Sequence, residues 1–148
     1  METEPIVATS GNPTVGARRG PLVLVVDDDR DARVIYGSYL RAMGCRVVTA
    51  RDGVAAIVKA TQRRPDVIVM DLAMPAMDGW TATRLLRHET TTRDVPIVAV
   101  TAAPTSRDGA RRAGCNAFLA KPCLPELLWW EIRALLRISD QPARFGDE

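Results

Sequence analysis

Lysine is scarce in this sequence, and that scarcity affects how its charged residues are interpreted. The chain has 20 basic residues, of which only Lys59 and Lys121 are lysines. Its net charge at pH 7 is +2, which is too small to favour nucleic acid as a partner. A lysine that lies beside other functional groups is therefore of particular interest.

Paired cysteines and long apolar runs are also missing. The three cysteines, Cys45, Cys115 and Cys123, form no CxxC pair, so the sequence indicates neither a zinc site nor a disulfide framework. Free thiols are typical of a reducing cytoplasm. No apolar run is long enough to span a bilayer, and the N-terminus lacks the pattern of a signal peptide. We therefore expect a cytoplasmic protein without a membrane-spanning segment.

What the sequence does contain is a regular alternation of short apolar runs with segments of helical periodicity. Residues 1–20 and 139–148 show neither pattern and are expected to be a flexible N-terminal tail and a short C-terminal tail around one domain, residues 21–138. Strands alternating with helices predict an α/β fold, in which a parallel sheet carries helices on both faces. The predicted strands are 22–26, 46–50, 67–70, 95–100 and 117–120, and the predicted helices are 30–43, 54–63, 79–88, 105–113 and 125–138.

Polar side chains follow four of these strands at the point where each strand ends. Asp27 and Asp28 follow the first strand, Asp71 the third, Thr101 the fourth and Lys121 the fifth. Parallel strands share one carboxyl edge, and ligands of such sheets bind beyond that edge. We therefore expect these five side chains to converge on one site.

Three carboxylates gathered in this way would repel one another. At about 4 Å and an effective dielectric constant near 20, each pair costs roughly 4 kcal/mol. Either one carboxyl group stays protonated or a divalent cation binds among them. An all-oxygen set with open coordination positions suits Mg²⁺. With the charge of Lys121 and the hydroxyl of Thr101 nearby, the arrangement predicts phosphoryl transfer with Asp71 as the acceptor.

These motifs resemble the receiver domain of two-component response regulators. The matching segments are residues 25–29 (VVDDD), 70–79 (MDLAMPAMDG), 100–102 (VTA) and 120–122 (AKP), and their order and spacing agree with the family over residues 21–138. The resemblance implies a flavodoxin-like, doubly wound (βα)5 fold with strand order 2-1-3-4-5. Because too little chain follows residue 138 for an output domain, we expect a stand-alone, single-domain regulator, with a fragment of a longer regulator as the alternative.

The resemblance assigns roles to the residues around the acceptor. Asp71 is the phosphorylated residue, Lys121 pairs with the phosphoryl group, and Thr101 is both a catalytic and a switch hydroxyl. Phe118 occupies the position of the switch aromatic residue. The peptide bond between Lys121 and the following proline is expected to be cis and to turn the lysine inward. The family usually has phenylalanine after this Lys-Pro pair, whereas this chain has Cys123.

The resemblance also implies a metal site. Asp28 is expected to bind Mg²⁺ directly, Asp27 largely through water, and Asp71 and the backbone carbonyl of Ala73 complete the protein ligands. Mn²⁺ is an alternative ion. Asp29 is left as the N-cap of the first helix.

Partners are implied in the same way. A histidine kinase or a histidine phosphotransferase is the expected phosphodonor, and the last helix is expected to bind a downstream protein or a second copy of the chain. Its contact patch comprises Leu127, Trp130 and Ala134, at helical spacing. An equally weighted alternative places Trp130 over the aliphatic stem of Arg133 or Arg137.

Two other functions stay open. One is a protein-binding module that keeps the site but works without phosphorylation. The other is a Mg²⁺-dependent phosphatase, which often needs a second aspartate two residues after the nucleophile. Ala73 stands at that position and argues against turnover of other substrates. We therefore expect the chain to catalyse only its own phosphorylation and dephosphorylation.

Overall fold

The computed structural model describes residues 20–137, and in this range helices and strands alternate along the chain. Among the described helices, none combines the length and the apolar character needed to cross a bilayer. The strands are β1 (Leu22–Val26), β2 (Arg46–Ala50), β3 (Val67–Met70), β4 (Ile97–Thr101) and β5 (Ala117–Ala120). The helices are α1 (Arg30–Ala42), α2 (Gly53–Arg63), α3 (Gly79–His88), α4 (Arg107–Ala113) and α5 (Pro125–Leu136).

The five described strands form one parallel sheet in the order β2-β1-β3-β4-β5. β1 lies between β2 and β3, with Val26 in register with Ala50 on one side and with Met70 on the other. The predicted fold class and strand order are therefore confirmed. Because the strand order reverses at β1, a crevice opens beyond the carboxyl ends of β1 and β3, where ligands bind in sheets of this kind.

The apolar side chains of the central strands are buried on both faces of the sheet. Leu24 and Val26 of β1 belong to a core cluster that α2, α3 and α4 cover, whereas Val23 and Val25 belong to a second cluster beneath α1 and α5. Successive side chains of a strand point to opposite faces, so a strand covered on both sides must be apolar throughout. Polar groups can therefore emerge only where these strands end.

Two elements begin two residues later than predicted. β4 begins at Ile97, after Pro96, whose ring nitrogen has no hydrogen to donate to a neighbouring strand. α4 begins at Arg107 because the side chain of Ser106 accepts a hydrogen bond of 3.0 Å from the backbone N–H of Gly109. This serine is the N-cap, so the two residues before Arg107 lie outside the helix.

The last helix ends two residues earlier than predicted. Arg137 has a φ of 56° and forms the left-handed C-cap of α5, so the helix ends at Leu136. Ile138 lies outside the described residues. The predicted C-terminal tail of residues 139–148, and all of the predicted N-terminal tail but Gly20, also lie outside them.

Candidate functional site

Three carboxylates meet at the carboxyl edge of the sheet. Asp27 follows β1 directly and Asp71 follows β3, and the pairing of these strands places the two residues side by side. One oxygen of Asp27, one of Asp28 and one of Asp71 all lie within 4.8 Å of one another. Asp27 is 3% exposed and Asp71 is 5% exposed, whereas Asp28 faces solvent. The structure thus brings together the three acids that the sequence pattern predicted.

The loop after β3 holds Asp71 through its backbone. The N–H of Asp71 donates to the carbonyl of Val26 at 3.0 Å, and its Oδ1 accepts a hydrogen bond of 3.1 Å from the N–H of Ala73. Gly79, the first residue of α3, lies so close that a Cβ there would be 2.1 Å from the Asp71 carbonyl oxygen. Only glycine permits this approach, so the start of α3 fixes the loop against the acceptor residue.

Lys121 reaches into the carboxylate cluster from the end of β5. Its Nζ donates to Asp27 Oδ2 at 2.7 Å and to Asp71 Oδ2 at 3.3 Å. Burial by itself would lower the pKa of Lys121, but its hydrogen bond with Asp27 and the charges of Asp27 and Asp71 outweigh burial and raise that pKa. The amine is therefore fully charged at neutral pH. The predicted cis bond to Pro122 is present.

Thr101 ends β4 and is almost fully buried. Its Oγ1 accepts a hydrogen bond of 3.0 Å from the N–H of Ala103, so its side chain engages the loop that leads into α4. Accepting this bond leaves the hydroxyl hydrogen available to an anion beside it. Phe118, on β5, is half-buried and packs against the core cluster that α2, α3 and α4 cover.

The donor set of the cluster fits Mg²⁺. It consists of carboxylate oxygens, the hard ligands that this ion prefers. Among the described residues, the Asp28 carboxylate takes part in no hydrogen bond or ion pair, so it is available as a ligand. Asp29 is not needed as one, because its side chain accepts from the N–H of Asp31 at 3.2 Å and caps α1. This cap is the role that the sequence predicted.

Sequence reasoning missed Arg33, the fourth residue of α1. Its Nη1 donates a hydrogen bond of 2.8 Å to the backbone carbonyl oxygen of Asp27. The only available signal was its position four residues after the N-cap Asp29, from which a long side chain points back toward the start of the helix. The acceptor is a backbone atom, so no residue pattern marks the contact.

A groove of about 240 Å³ adjoins the site between α1 and the segment after β5. Lys121 and Cys123 form one of its walls, and Ile35 and Tyr36 form another. The Tyr36 hydroxyl donates to the Cys123 carbonyl at 3.3 Å and ties the two walls together. The position where the resemblance leads one to expect phenylalanine thus lines an open groove beside the lysine.

The predicted patch on α5 is exposed. Leu127 is 49% exposed and Trp130 is 51% exposed, and Ala134 also faces solvent. The Arg133 guanidinium lies 5.2 Å from the centre of the Trp130 ring and 5.9 Å from that of Trp129, a distance typical of a cation–π contact. This face of α5 therefore carries exposed apolar side chains and also an arginine, Arg133, that packs against Trp130.

Comparison with known protein families gives one match that covers most of the chain. Residues 23–133 match the family described as the response regulator receiver domain. This range begins within β1 and ends within α5, so it contains every residue of the carboxylate cluster.

Two curated relatives illustrate the similarity in sequence. The transcriptional regulatory protein PrrA of Mycobacterium tuberculosis is 40% identical over 130 residues, which cover 86% of this chain and 55% of PrrA. The response regulator PleD of Caulobacter vibrioides is 37% identical over 119 residues, which cover 79% of this chain and 26% of PleD. The chain thus spans about half the length of PrrA.

Two solved structures illustrate the similarity in fold. The chemotaxis response regulator CheY4 of Vibrio cholerae superposes with a TM-score of 0.74 at 31% identity, covering 79% of this chain and 99% of CheY4. The receiver domain of the sensor histidine kinase PA1611 of Pseudomonas aeruginosa has a TM-score of 0.73 at 34% identity, covering 79% of this chain and 98% of that domain. The PA1611 structure has a magnesium ion coordinated in its active site cleft.

Proposed function

The chain belongs to the response regulator receiver domain family of two-component signalling, and from this premise we propose that Asp71 accepts a phosphoryl group from a phosphohistidine on a partner protein. The observation that carries the proposal is the contact of Lys121 Nζ with Asp71 Oδ2 at 3.3 Å, beside two further carboxylates. Asp71 therefore lies beside a fixed cation and beside carboxylate oxygens that we propose as metal ligands. A carboxylate in such a setting is an activated nucleophile for phosphorus.

The proposed step converts one phosphorylated residue into another. A carboxylate oxygen of Asp71 forms a bond to phosphorus, the P–N bond to the donor imidazole breaks, and its electron pair stays on the imidazole nitrogen. The products are an acyl phosphate on Asp71 and a free histidine. Lys121 supplies a preorganised positive charge for the phosphoryl oxygens, which carry most of the charge in the transition state.

The same proposal assigns the metal site. Asp27, Asp28, Asp71 and the backbone carbonyl of Ala73 are the proposed ligands of Mg²⁺, with Mn²⁺ as a second ion to test. When bound, the ion supplies positive charge that offsets repulsion between the anionic acceptor and the anionic donor. Support comes from the three oxygens within 4.8 Å of one another and from the Asp28 carboxylate, which has no hydrogen-bond or ion-pair partner within residues 20–137.

The central test is direct phosphorylation of the protein by a small donor. Incubation with acetyl phosphate or phosphoramidate and Mg²⁺, followed by intact mass, should show the addition of one phosphoryl group. Asp71→Asn should show none, and chelation of the metal should prevent the addition to the wild type. Asp94→Asn, which alters an exposed acid outside the cluster, should behave like the wild type. Equal phosphorylation of Asp71→Asn would contradict the assignment.

The proposed partners follow from this chemistry. The donor is a histidine kinase or a histidine phosphotransferase, and the output is a protein contact made by a downstream target or a second copy at the patch of Leu127, Trp130 and Ala134. We assign no nucleic-acid or membrane partner to this domain and place it in the cytoplasm. Partner binding that survives Asp71→Asn unchanged would instead favour a module that works without phosphorylation.

Two further assignments belong to the proposal. The receiver domain spans residues 21–138, with residues 1–20 and 139–148 as flanking tails. The chain acts on its own aspartate and not on outside phosphate esters, because Ala73 occupies the place where an acid/base aspartate would be needed. Steady release of phosphate from an added aryl phosphate at a rate above the decay rate of the acyl phosphate on Asp71 would contradict the second assignment.

A further inference from the structure

We propose that Arg33 is a positioning residue for the metal site, because it holds the peptide group from which Asp28 projects. This inference rests on the proposed Mg²⁺ site. Arg33 Nη1 donates to the Asp27 carbonyl oxygen at 2.8 Å. That oxygen belongs to the peptide unit that joins Asp27 to Asp28, so the bond fixes the plane of this unit.

The other groups of Asp27 are held by different partners. Its Oδ2 accepts from Lys121 Nζ at 2.7 Å, its Oδ1 accepts from the N–H of Asp29 at 2.9 Å, and its N–H donates to the Ala50 carbonyl at 3.1 Å. The bond from Arg33 satisfies the remaining polar atom of this buried residue. Loss of the Arg33 side chain would therefore release the Asp27 carbonyl and leave the Asp27 side chain in place.

The start of α1 explains why the arginine reaches this carbonyl. Asp29 is the N-cap, and the backbone N–H of Arg33 donates to the Asp29 carbonyl at 3.1 Å in the first turn of helical bonding. Side chains of a helix point toward its N-terminus, and the N-terminus of α1 lies next to the carboxyl end of β1. A charged guanidinium on a neutral carbonyl forms a stronger bond than two neutral groups do.

Asp28 is the residue that depends on this support. Its exposed carboxylate has no hydrogen-bond partner among the described residues, so its direction is set by the backbone that carries it. Mg²⁺ demands near-octahedral geometry at about 2.0–2.1 Å, and partners that orient metal ligands typically contribute about 10–100-fold in metal affinity. If the Arg33 bond is lost, the planar Asp27–Asp28 peptide unit can change its orientation, and Mg²⁺ binding should therefore weaken.

The charge of Arg33 acts in the opposite direction, which makes the inference testable. A guanidinium near the site repels a divalent cation, so removal of its charge alone would tighten Mg²⁺ binding. If Arg33 serves mainly to orient the ligand, its removal weakens binding in spite of the lost repulsion. The sign of the change in affinity therefore separates a positioning role from a purely electrostatic one.

The experiment is calorimetric titration of Mg²⁺ into the full chain and three arginine variants. Arg33→Met keeps an unbranched stem but removes the hydrogen bond, and we expect about a tenfold loss of affinity. Arg33→Lys keeps a charged donor and should recover part of the lost Mg²⁺ affinity. Arg30→Met, which removes the same charge from an exposed position on α1, should bind at least as tightly as the wild type. Wild-type or tighter affinity in Arg33→Met would overturn the inference.

Two further measurements separate this inference from the proposal on which it rests. If the wild type binds Mg²⁺ and Asp28→Asn does not, the metal site itself is supported. If the wild type binds no Mg²⁺, both ideas are overturned. Without Mg²⁺, the Asp29 amide should exchange its hydrogen faster in Arg33→Met than in Arg30→Met, because Arg33 no longer holds the Asp27–Asp28 peptide unit that precedes it. Equal exchange in the two variants would count against positioning. If Arg33→Met does not fold, Arg33→Lys supplies a weaker form of this comparison, because its donor restores the bond only in part.

Discussion

Lys121 forms both of the ion pairs that reach into the carboxylate cluster of the described chain. The shorter contact, at 2.7 Å, is with Asp27 and the longer one, at 3.3 Å, is with Asp71. Before phosphorylation the amine thus sits nearer to a proposed metal ligand than to the proposed acceptor. A phosphoryl group on Asp71 would add charged oxygens with which Lys121 can pair, so we expect this side chain to shift toward the acceptor when the acyl phosphate forms.

Replacement of Lys121 by methionine should slow phosphorylation more than it affects metal binding. The stem remains, but the charge that stabilises the phosphoryl oxygens is lost, and removal of one such preorganised group costs about a hundredfold in rate. Mg²⁺ affinity should hold or rise, because a nearby positive charge is gone. Initial rates with acetyl phosphate, measured by intact mass, check the first effect, and calorimetry checks the second.

The matched control is Lys59→Met, since Lys59 is an exposed lysine on α2 whose Nζ bonds to the Thr49 carbonyl at 2.6 Å. This variant should phosphorylate at the wild-type rate. A Lys121→Met protein that also keeps the wild-type rate would remove the lysine from the proposed mechanism.

At the residue scale, the sequence predicted those groups whose side chains carry the chemistry. Asp71 and Lys121 were found because apolar strands leave only their ends for polar groups. Arg33 was missed because its acceptor is a backbone carbonyl. The left-handed φ of 62° at Ala76 could not be predicted from the sequence either. Alanine has no preference for that conformation, and only the closure of the loop imposes it.

Among the described elements, α4 is the one that we expect to switch. It has only seven residues, includes Gly109, and follows the loop that Thr101 binds through its side chain. Isolated short helices are marginal, and an internal glycine costs about 1 kcal/mol relative to alanine. A change in the partner of Thr101 is therefore expected to move the loop and this helix before it moves longer elements.

We expect a phosphoryl mimic, beryllofluoride with Mg²⁺, to change hydrogen exchange across residues 102–113. Its negative charge at Asp71 would draw the hydroxyl of Thr101 away from the Ala103 N–H. Thr101→Ala should still be phosphorylated by acetyl phosphate, but most of the exchange change in α4 should be lost. Mass-spectrometric exchange with and without the mimic is the measurement.

Thr105→Ala is the control for this comparison, because it removes a threonine from the same loop that is not at the strand end. Its exchange response should match that of the wild type. A full response in Thr101→Ala would show that the signal reaches α4 by another route.

Element boundaries show where local chemistry overrides periodicity. The apolar pattern placed every element, but the exact start of α4 depends on which nearby hydroxyl caps it, and Ser106 does so rather than Thr105. Both residues are adequate N-caps by type, so the sequence alone does not decide between them. The left-handed C-cap at Arg137 was not predicted for a similar reason. Glycine is the usual residue at such a cap, so an arginine does not indicate the end of a helix.

At the scale of the whole molecule, topology explains why the site could be predicted at all. A single parallel sheet directs β1, β3, β4 and β5 toward one edge, so residues up to 94 positions apart meet there. The strand order itself was implied by the family resemblance and not by the apolar pattern, which is compatible with several orders. The role of an exposed surface such as the α5 patch is harder to predict from the sequence, since an exposed apolar residue can be either part of a contact or an isolated surface residue.

The stability of the whole domain should fall as the pH rises from about 9 to about 11. Burial raises the pKa of the Cys45 thiol from 9.0 to about 11. Between these values the unfolded chain releases the proton while the folded chain keeps it. The stability contribution is therefore fully present below pH 9 and is lost as the pH approaches 11. Two pKa units correspond to about 3 kcal/mol.

Urea unfolding of the reduced protein at several pH values between 8 and 11 measures this loss. Burial also raises the pKa of Cys115 and Tyr36, so the contribution of Cys45 is the difference in pH slope between the wild type and Cys45→Ala. Val47→Ala, a truncation on β2 without a titrating group, should lower stability but keep the wild-type slope. If Cys45→Ala kept that slope as well, Cys45 would not be the group whose protonation couples to folding in this range.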